Sequence, residues 1–567
     1  MSQVKKTTVS PPKSNATFYS KVDSWLNKNE KKLFRVLLVL CAFLALISFN
    51  ARISEAHDDA LYLEGGWRFV NEFPDYFYAQ NAPLYPLFLA ILVKLFGFKL
   101  ILFKLFSVAF TLLGFTFMFK ALIRRVPAVV FIPVITFQAV NHLIMYYASM
   151  TFTEAFFFFL QGLFFFYSGK MIDLVNSEGV NYRSQLKVWL MFGFSMFLLT
   201  TCKSAAIVAL PVVVLYFAVE KNWKALGMSL ASFGVYKLLY EILVRLIWHG
   251  QNQFKDQSRI LLQKDPYNKS LGNEDLSGFI QRFIDNSNLY IGKRFYQLLG
   301  WRDENYVTDK PLMDEYGFVT FLSLVIIFVG FWFLLKHKKK SIVFFSLFAL
   351  AQTALSFLIL AARWDQARII LVTMPMLLTC MLYAFYHFTS KPGIGQSVYA
   401  VIALIMISSL IISSFKRGMK NIPIVQKNLK GDTYYGYTPD WINFLKCSEW
   451  CADSLGKESL VASRKAPMSF VYGKGKKFFP VYSVVKKDTA TEQSHPDSAL
   501  AYFRVNKVTH VMLPTLRLNP NDASAGFINT IHNILAPIAQ KYPQKLKLIH
   551  TEGSFEECAV YEFQYDK

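Results

Sequence analysis

The chain has 567 residues, of which 54% are hydrophobic, and 61 Lys and Arg against 38 Asp and Glu produce a formal net charge of +23. The hydrophobic fraction, together with 55 Phe and a positive mean hydropathy, indicates that lipid rather than water is the main solvent of the chain. Cationic loops hold helix ends on the cytoplasmic side of a membrane, so the positive charge needs no nucleic-acid partner, and no nucleic-acid-binding motif is present.

Twelve apolar segments follow one another between residues 33 and 415. They approach the ~20 residues that a helix needs to cross a bilayer, and lipid favours helices because it cannot satisfy an unpaired backbone amide. The segments cover approximately residues 33–50, 83–97, 100–119, 126–142, 152–168, 188–201, 205–220, 225–247, 317–335, 341–361, 369–388 and 397–415.

The basic clusters share one side of the membrane only if one early segment does not cross. Segment 83–97 has two prolines, a Lys near its end and a closing Gly, which is typical of a helix lying in the interface. About 11 transmembrane helices then remain. We expect a multi-pass protein of the plasma membrane (the bacterial inner membrane), with a cytoplasmic tail over residues 1–32 and an extracytoplasmic C-terminus.

The predicted fold class is an all-α polytopic membrane domain followed by a small soluble α/β domain. The membrane domain is expected over residues 33–415, with outer loops at 51–99 and 248–316, and the soluble extracytoplasmic domain over 416–567. Strands of the soluble domain are expected at Val508–Leu513, Leu546–His550 and Ala559–Phe563. A single disulfide in this domain is left open among three cysteines, Cys447, Cys451 and Cys558.

Acidic residues lie at the outer ends of two segments. The first outer loop contains His57 followed by the doublet Asp58 and Asp59, and Glu154 begins the segment 152–168. Ionisable groups near lipid are functional candidates, because their burial there is costly. A structural interpretation also exists: the doublet could cap a juxtamembrane helix, and Glu154 could be favoured by a helix dipole.

Cationic residues lie on the same predicted side. Each of them could simply extend to the lipid headgroups, as Lys and Arg often do at helix ends. Gathered on one face beside acids, however, they would suit a lipid phosphate, which Arg can bind through two parallel hydrogen bonds. The cations are Lys104, Lys203 and the pair that flanks a short linker, Arg363 and Arg368.

Three motifs occur in a fixed order along the first third of the chain. D-D-x-x-Y begins at Asp58, P-L-x-P-L-F-L-A-I-L-x-K-L-F-G begins at Pro83, and F-K-L-F-S begins at Phe103. This order resembles the GT-C membrane glycosyltransferases, and within them the dolichyl-phosphate-mannose protein mannosyltransferases and the bacterial aminoarabinose transferases. The resemblance covers residues 33–210 in its motifs and the later spans in their layout.

The resemblance implies roles for individual residues. Asp58 would be the catalytic carboxylate, with Asp59 at a position where the family usually has Glu, and Glu154 would be the family's second acid. The expected donor-phosphate-binding residues are Lys104, Lys203, Arg363 and Arg368. The residues expected to position substrate are His57, Tyr62 and Tyr85.

The function that this resemblance implies is sugar transfer from a polyprenyl-phosphate donor to an extracytoplasmic acceptor, as a hexosyl- or pentosyltransferase. The leaving phosphate needs cations and not an acid, whereas the acceptor hydroxyl needs a base, so Asp58 is expected to act as the base in an inverting reaction. Expected partners are the lipid donor, membrane lipids, and lipid A, a surface glycan, another lipid or a protein as acceptor. No cofactor is expected to be required and no metal ligand is assigned, with a divalent cation near Asp58 and Glu154 left open.

Two other functions are compatible with a polytopic cationic chain. A lipid-linked glycan transporter or flippase would share the topology, but it would be expected to hold polar groups at the bilayer midplane between repeats. A membrane scaffold that presents the C-terminal domain would account for the topology but not for the acids.

Overall fold

The computed structural model describes most of the chain. The described residues are 17–56, 58–177, 185–249, 260–265, 271–302, 310–361, 364–391, 393–487, 492–519 and 522–566.

Helices dominate the chain up to residue 429, as the apolar segments predict. They are α1 (Phe18–Ile47), α2 (Asp58–Asn71), α3 (Leu84–Phe96), α4 (Leu100–Leu122), α5 (Ala128–Val140), α6 (His142–Ala148), α7 (Thr153–Val175), α8 (Leu186–Cys202), α9 (Ala209–Val219), α10 (Trp223–Trp248), α11 (Leu276–Ser287), α12 (Phe295–Leu298), α13 (Leu312–Lys336), α14 (Lys340–Ile359), α15 (Arg368–Leu371), α16 (Met374–Phe388) and α17 (Ile394–Leu429). A 3-10 helix at Ser204–Val208 precedes α9, and a π-helix at Asn288–Arg294 joins α11 to α12.

Several of these helices can cross a membrane. Within the described residues, five are long and apolar enough by length and composition, namely α4, α7, α13, α14 and α17, and α5 with α6 makes a sixth if this pair, bent by 42°, is one span. The polytopic helical character is therefore confirmed, while the expected count of about 11 crossings stays a prediction.

The segment expected to lie in the interface forms the short helix α3. Its 13 residues correspond to a length of about 20 Å, against a hydrocarbon core of about 30 Å. Helix α2 packs closely on it at Gly66, where an added Cβ would lie 2.7 Å from Cβ of Leu89. The two helices together form a compact unit within residues 51–99, the segment that the sequence predicts as the first outer loop.

Helices α4 and α7 approach each other through glycines. A Cβ added at Gly162 would lie 2.9 Å from the carbonyl oxygen of Gly114, and one added at Gly114 would lie 2.9 Å from the carbonyl carbon of Phe158. Small residues at a helix crossing allow this close backbone contact in membrane proteins. The crossing determines where the N-terminal end of α7 lies relative to α4.

The C-terminal part contains a small sheet between helices. Its helices are α18 (Pro439–Ser454), α19 (Ala466–Tyr472), α20 (Pro496–Val505) and α21 (His532–Lys541), with a 3-10 turn at Pro543–Lys545. Its strands are β1 (Val461–Ser463), β2 (Phe478–Pro480), β3 (His510–Pro514), β4 (Arg517–Asn519), β5 (Asp522–Phe527), β6 (Leu546–Glu552) and β7 (Cys558–Phe563). The three expected strand regions are confirmed, as β3, β6 and β7.

Five strands form one mixed sheet in the order β2-β1-β3-β7-β6, and β4 pairs with β5 in a separate hairpin. Strand β1 runs parallel to β2 and β3, whereas β7 is antiparallel to β3 and β6. All six cysteines of the chain are described and buried, and none forms a disulfide.

The two faces of this sheet belong to different hydrophobic cores. Val461 and Met512 pack with α18 into the core that continues into the membrane domain. Ala462 and Val511, which point to the opposite face because strand side chains alternate, pack with α20 and α21 into a separate core. The C-terminal sheet is thus joined to the membrane domain by a continuous apolar interior. Helix α17 leads into it, running past residue 416, where the soluble domain was expected to begin, to Leu429.

Candidate functional site

Four helix ends bring two acids and two cations together. Asp58 is the first residue of α2, and Glu154 lies in the first turn of α7. Lys203 has an extended backbone conformation at the break between α8 and the following 3-10 helix, and Arg368 begins the short helix α15. Because the helices begin or end at these points, the polar side chains can meet one another inside the protein.

Glu154 is the most deeply buried acid of the group, with 1% of its side chain exposed. Its Oε1 accepts a hydrogen bond from Lys203 Nζ at 2.8 Å, and Arg368 Nη1 lies 3.8 Å from the same oxygen. Oε2 of Glu154 has no hydrogen-bond partner within the described residues. A buried carboxylate requires such cations, because its charge would otherwise be very costly.

Arg368 connects Glu154 to Asp58. Its Nη2 donates to Asp58 Oδ2 at 2.6 Å, and its Nε donates to Gln366 Oε1 at 2.6 Å. The guanidinium also lies 5.1 Å from the ring centroid of Phe152. Asp58 keeps 33% of its side chain exposed, against 17% for Arg368, so a substrate can reach the Asp58 carboxylate.

The neighbouring Asp59 has a different environment. It is completely buried, and it accepts hydrogen bonds from the backbone amide and the hydroxyl of Ser54 at 2.8 and 2.9 Å and from the amide of Ala60 at 3.1 Å. Burial raises the pKa of Asp59, and the nearby ammonium of Lys104 opposes that rise. These contacts show that Asp59 holds the segment before α2 onto that helix.

Lys104 also lies apart from the other cations. Its side chain is completely buried, and its Nζ donates to the carbonyl oxygens of Arg52 at 2.7 Å and Ser149 at 3.1 Å. These bonds join α4 to the segment before α2 and to the segment between α6 and α7. Phosphate binding by Lys104 therefore stays a prediction that no contact in this structure favours.

Two aromatic residues assigned to substrate positioning pack behind Asp58. Tyr62 is buried on α2, and its ring centroid lies 5.7 Å from that of Tyr85 on α3. The Tyr85 ring also packs on Phe156 of α7, again at 5.7 Å. Burial raises the pKa of Tyr62 far above its usual value, and the charges of Asp58 and Glu154 add to that effect. The two rings thus pack together where α2, α3 and α7 meet, and Tyr62 stays neutral.

Two of the predicted site residues, His57 and Arg363, lie outside the described residues. In the described part of the chain, no group of three or more His, Cys, Asp or Glu residues is arranged so that it could bind a metal ion.

One cation near Asp58 comes from the C-terminal sheet region and was not predicted from the sequence. Lys465, between β1 and α19, donates from Nζ to the carbonyl oxygen of Glu55 at 3.2 Å. No motif or spacing marks this lysine, since the contact depends on the packing of two regions distant in the chain. The only local signal is the basic pair Arg464 and Lys465 after a short buried strand.

Comparisons by sequence identify no relative: no family model matches the chain, and no curated protein matches it. Solved structures do match its fold. The structure of ArnT from Cupriavidus metallidurans in the apo state is 10% identical, with a TM-score of 0.52 over 93% of this chain and 97% of that one. The structure of ArnT bound to undecaprenyl phosphate is 12% identical, with a TM-score of 0.50 over 94% and 98%.

A second group of similar structures is archaeal. The oligosaccharyltransferase of Archaeoglobus fulgidus, tethered to an acceptor peptide containing the NVT sequon, is 11% identical, with a TM-score of 0.52 over 96% of this chain and 75% of that one. At these identities the likeness concerns the fold alone. It confirms the fold expected from the sequence motifs: the chain is a multi-pass membrane protein with the fold of the GT-C glycosyltransferases.

Proposed function

We propose that this protein is an inverting glycosyltransferase that moves a sugar from a polyprenyl-phosphate carrier to an acceptor on the extracytoplasmic side of the membrane. The main observation behind the proposal is a series of contacts between side chains at four helix ends. Asp58 contacts Arg368, Arg368 lies near Glu154, and Glu154 binds Lys203. This arrangement places an accessible carboxylate beside cations, which is the combination that this chemistry requires.

The cations would bind the phosphate of the donor. Among the described residues, the hydrogen bonds of Arg368 to Gln366 and Asp58 use two of the five N–H groups of its guanidinium. The hydrogen bond of Lys203 to Glu154 uses one of the three N–H groups of its ammonium. The remaining donors can stabilise the charge that grows on the phosphate as the sugar leaves. No metal ion is then required, because these two side chains supply the positive charge.

Asp58 would act as the base. The acceptor hydroxyl oxygen attacks the anomeric carbon, the bond between that carbon and the phosphate oxygen breaks, and the electron pair stays on the departing phosphate. The hydroxyl proton passes to the Asp58 carboxylate, which the contact with Arg368 Nη2 holds in place. Attack opposite the leaving group inverts the anomeric centre, and a single base suffices.

Glu154 would act through the cations that it holds. Its almost complete burial leaves no room for direct contact with an acceptor, but it orients both Lys203 and Arg368. We assign it a positioning role, together with Asp59, which holds the outer loop.

The structural relatives favour a lipid carrier as donor. One is a complex of ArnT with undecaprenyl phosphate, and another is an oligosaccharyltransferase in complex with an inhibitory peptide and a dolichol-phosphate. Their shared fold supports a polyprenyl-phosphate donor for this chain. The sugar is a hexose or pentose, and the acceptor is lipid A, a surface glycan, another lipid or a protein.

The substitution Asp58→Asn tests the proposal. We expect it to reduce transfer by at least about a thousandfold, because the amide cannot accept the hydroxyl proton. The full-length protein in detergent would receive radiolabelled sugars linked to undecaprenyl or dolichyl phosphate, with cell-envelope extract as acceptor, and release of carrier phosphate would be measured.

The matched control is Asp75→Asn, an exposed acid in the same outer loop, which should leave transfer unchanged. Normal turnover by Asp58→Asn would reject Asp58 as the base. Intact donor after incubation with the unsubstituted protein and extract, combined with movement of the donor across liposomes, would instead identify a transporter.

A further inference from the structure

The C-terminal sheet region lies directly on the outer loop that carries Asp58. The hydroxyl of Tyr437 donates to the carbonyl oxygen of Ile53 at 2.5 Å, and the guanidinium of Arg52 lies 4.4 Å from the centroid of the Tyr437 ring. On α2 itself, the rings of Trp67 and Phe470 of α19 are 5.2 Å apart. The loop is therefore held between the membrane domain and the C-terminal region.

Lys465 contacts the backbone of the loop just before Asp58. It precedes α19, and its Nζ donates to the carbonyl oxygen of Glu55, three positions before Asp58. The ammonium also lies 5.7 Å from the ring centroid of Trp441 on α18. A half-buried lysine with an aromatic ring on one side and a backbone carbonyl on the other has a defined position.

The charges around Lys465 connect it to the acids of the loop. Burial, together with the adjacent charge of Arg464, lowers the pKa of Lys465 to about 8, although the charges of Asp58, Glu55 and Asp59 oppose this shift. These are the charged groups that act on the ammonium from its own segment and from the outer loop. Lys465 is thus a cation near neutral pH and loses its charge in mildly alkaline solution.

We propose that Lys465 is a positioning residue by which the C-terminal region completes the candidate active site: its ammonium holds the Glu55 end of the loop and thereby orients the Asp58 carboxylate. This inference rests on the proposed function. It assigns the C-terminal region a part in the reaction, since Asp58 is held by Arg368 on one side and by the loop that Lys465 fixes on the other.

The pH dependence follows from the sign of the shift. Raising the pH through about 8 removes the proton from Lys465 and with it the attraction between the ammonium and the acids of the loop. Transfer should therefore decline above this pH. An arginine at this position keeps its charge at all these pH values, so Lys465→Arg should retain activity where the unsubstituted protein loses it.

The kinetic test compares Lys465→Arg and Lys465→Gln with the unsubstituted full-length protein in detergent. Lys465→Gln should lower kcat about tenfold at neutral pH while changing KM for the donor by less than about twofold, because the base is misplaced and the phosphate cations are intact. Lys465→Arg should restore kcat and extend the alkaline limit by about one pH unit or more. The matched control is Lys474→Gln, an exposed lysine nearby that pairs with Asp453.

A second measurement does not depend on transfer. Competitive acetylation with acetic anhydride, followed by mass spectrometry, reports the fraction of neutral amine at Lys465 against pH. Its midpoint should lie near 8, and Asp58→Asn should lower it, because one acid that favours the ammonium is gone. The midpoint of Lys474, whose pKa is raised by its hydrogen bond to Asp453, should not move.

The outcomes separate the two proposals. If the unsubstituted protein transfers sugar and Lys465→Arg has the same alkaline limit, the role of Lys465 is overturned while the proposed function stands. If Asp58→Asn leaves the Lys465 midpoint unchanged, the coupling is overturned whatever the activity. If no sugar is transferred but the midpoint moves as expected, the proposed function fails and the contact of Lys465 with the loop remains.

Discussion

A buried carboxylate with one hydrogen-bonded cation is a sensitive point in any membrane protein. Glu154 has almost no exposed surface. Among the described residues, the only side chain that donates a hydrogen bond to its carboxylate is that of Lys203. Removing one partner of a buried pair leaves the other charge uncompensated, whereas removing both charges costs much less. The pair therefore offers a way to separate stability from catalysis at this site.

Lys203→Met is expected to destabilise the protein by about 3 kcal/mol, because Glu154 then keeps only the more distant Arg368 as a cation. Transfer should be lost as well, since the donor phosphate loses a ligand. The measurement is thermal unfolding in detergent, followed by the carrier-phosphate assay.

The double substitution Lys203→Met with Glu154→Gln should recover most of the stability but not the activity. Recovery of both would mean that Lys203 only neutralises Glu154 and does not act on the donor. An unchanged melting temperature in the single variant would contradict the buried pair itself.

The sequence located the residues of the site better than it separated their roles. Asp58, Glu154, Lys203 and Arg368 were all predicted, because charged residues at apolar helix ends are conspicuous. The different environments of Asp58 and Asp59 were not predictable, since adjacent residues on a helix point in directions that only the packing of α2 determines. For the same reason the sequence grouped Lys104 with Lys203 and Arg368. In the structure Lys104 contacts backbone carbonyl oxygens, whereas the other two cations contact Glu154.

Helix packing sets the geometry of these helix ends. The crossing of α4 and α7 at Gly114 and Gly162 lies two turns or so below Glu154, so a change in helix separation there would displace the carboxylate. Because protein interiors are close-packed, an added methyl group at such a contact cannot be absorbed without movement.

Gly162→Ala is accordingly expected to destabilise the protein by about 1 to 3 kcal/mol and to reduce transfer, because its Cβ would press on the backbone of α4. Gly227→Ala on α10 is the matched control, since an added Cβ there meets no atom within 4 Å. Helix propensity alone would make that control neutral or stabilising by up to about 1 kcal/mol. Equal effects of the two substitutions would show that the α4–α7 contact does not position Glu154.

Some elements carried too little sequence signal to be predicted. Strands β1 and β2 have three residues each, which is too short for alternation to be recognised, although β1 ends two residues before Lys465. The C-terminal end of α17 was placed too early, because hydropathy falls at Lys416 and Arg417 whereas the helix continues to Leu429. Hydropathy reports contact with lipid, and a helix can leave the membrane without ending.

At the scale of the whole molecule, the C-terminal sheet region packs on the membrane domain as part of one core. Met512 and Val560 of the sheet belong to the same buried cluster as the membrane helices, and Trp67 of α2 packs on Phe470. A domain attached only by a linker would bury its own core separately. This arrangement explains how a residue as distant in sequence as Lys465 can contact the segment before α2.

The proposed chemistry also requires that the helix ends of the site face the extracytoplasmic side, which depends on α3 not crossing. Impermeant maleimide on sealed spheroplasts tests this with single cysteines at three exposed lysines, and the buried native cysteines keep the background low. Lys474→Cys should be labelled in sealed spheroplasts, whereas Lys31→Cys and Lys338→Cys should react only after permeabilisation.

If Lys338→Cys were labelled from outside while Lys31→Cys was protected, the number of crossings between them would be odd. Glu154 and the C-terminal region could then no longer be assigned to the outer side together, and the base and its cations would lose their access to an extracytoplasmic acceptor.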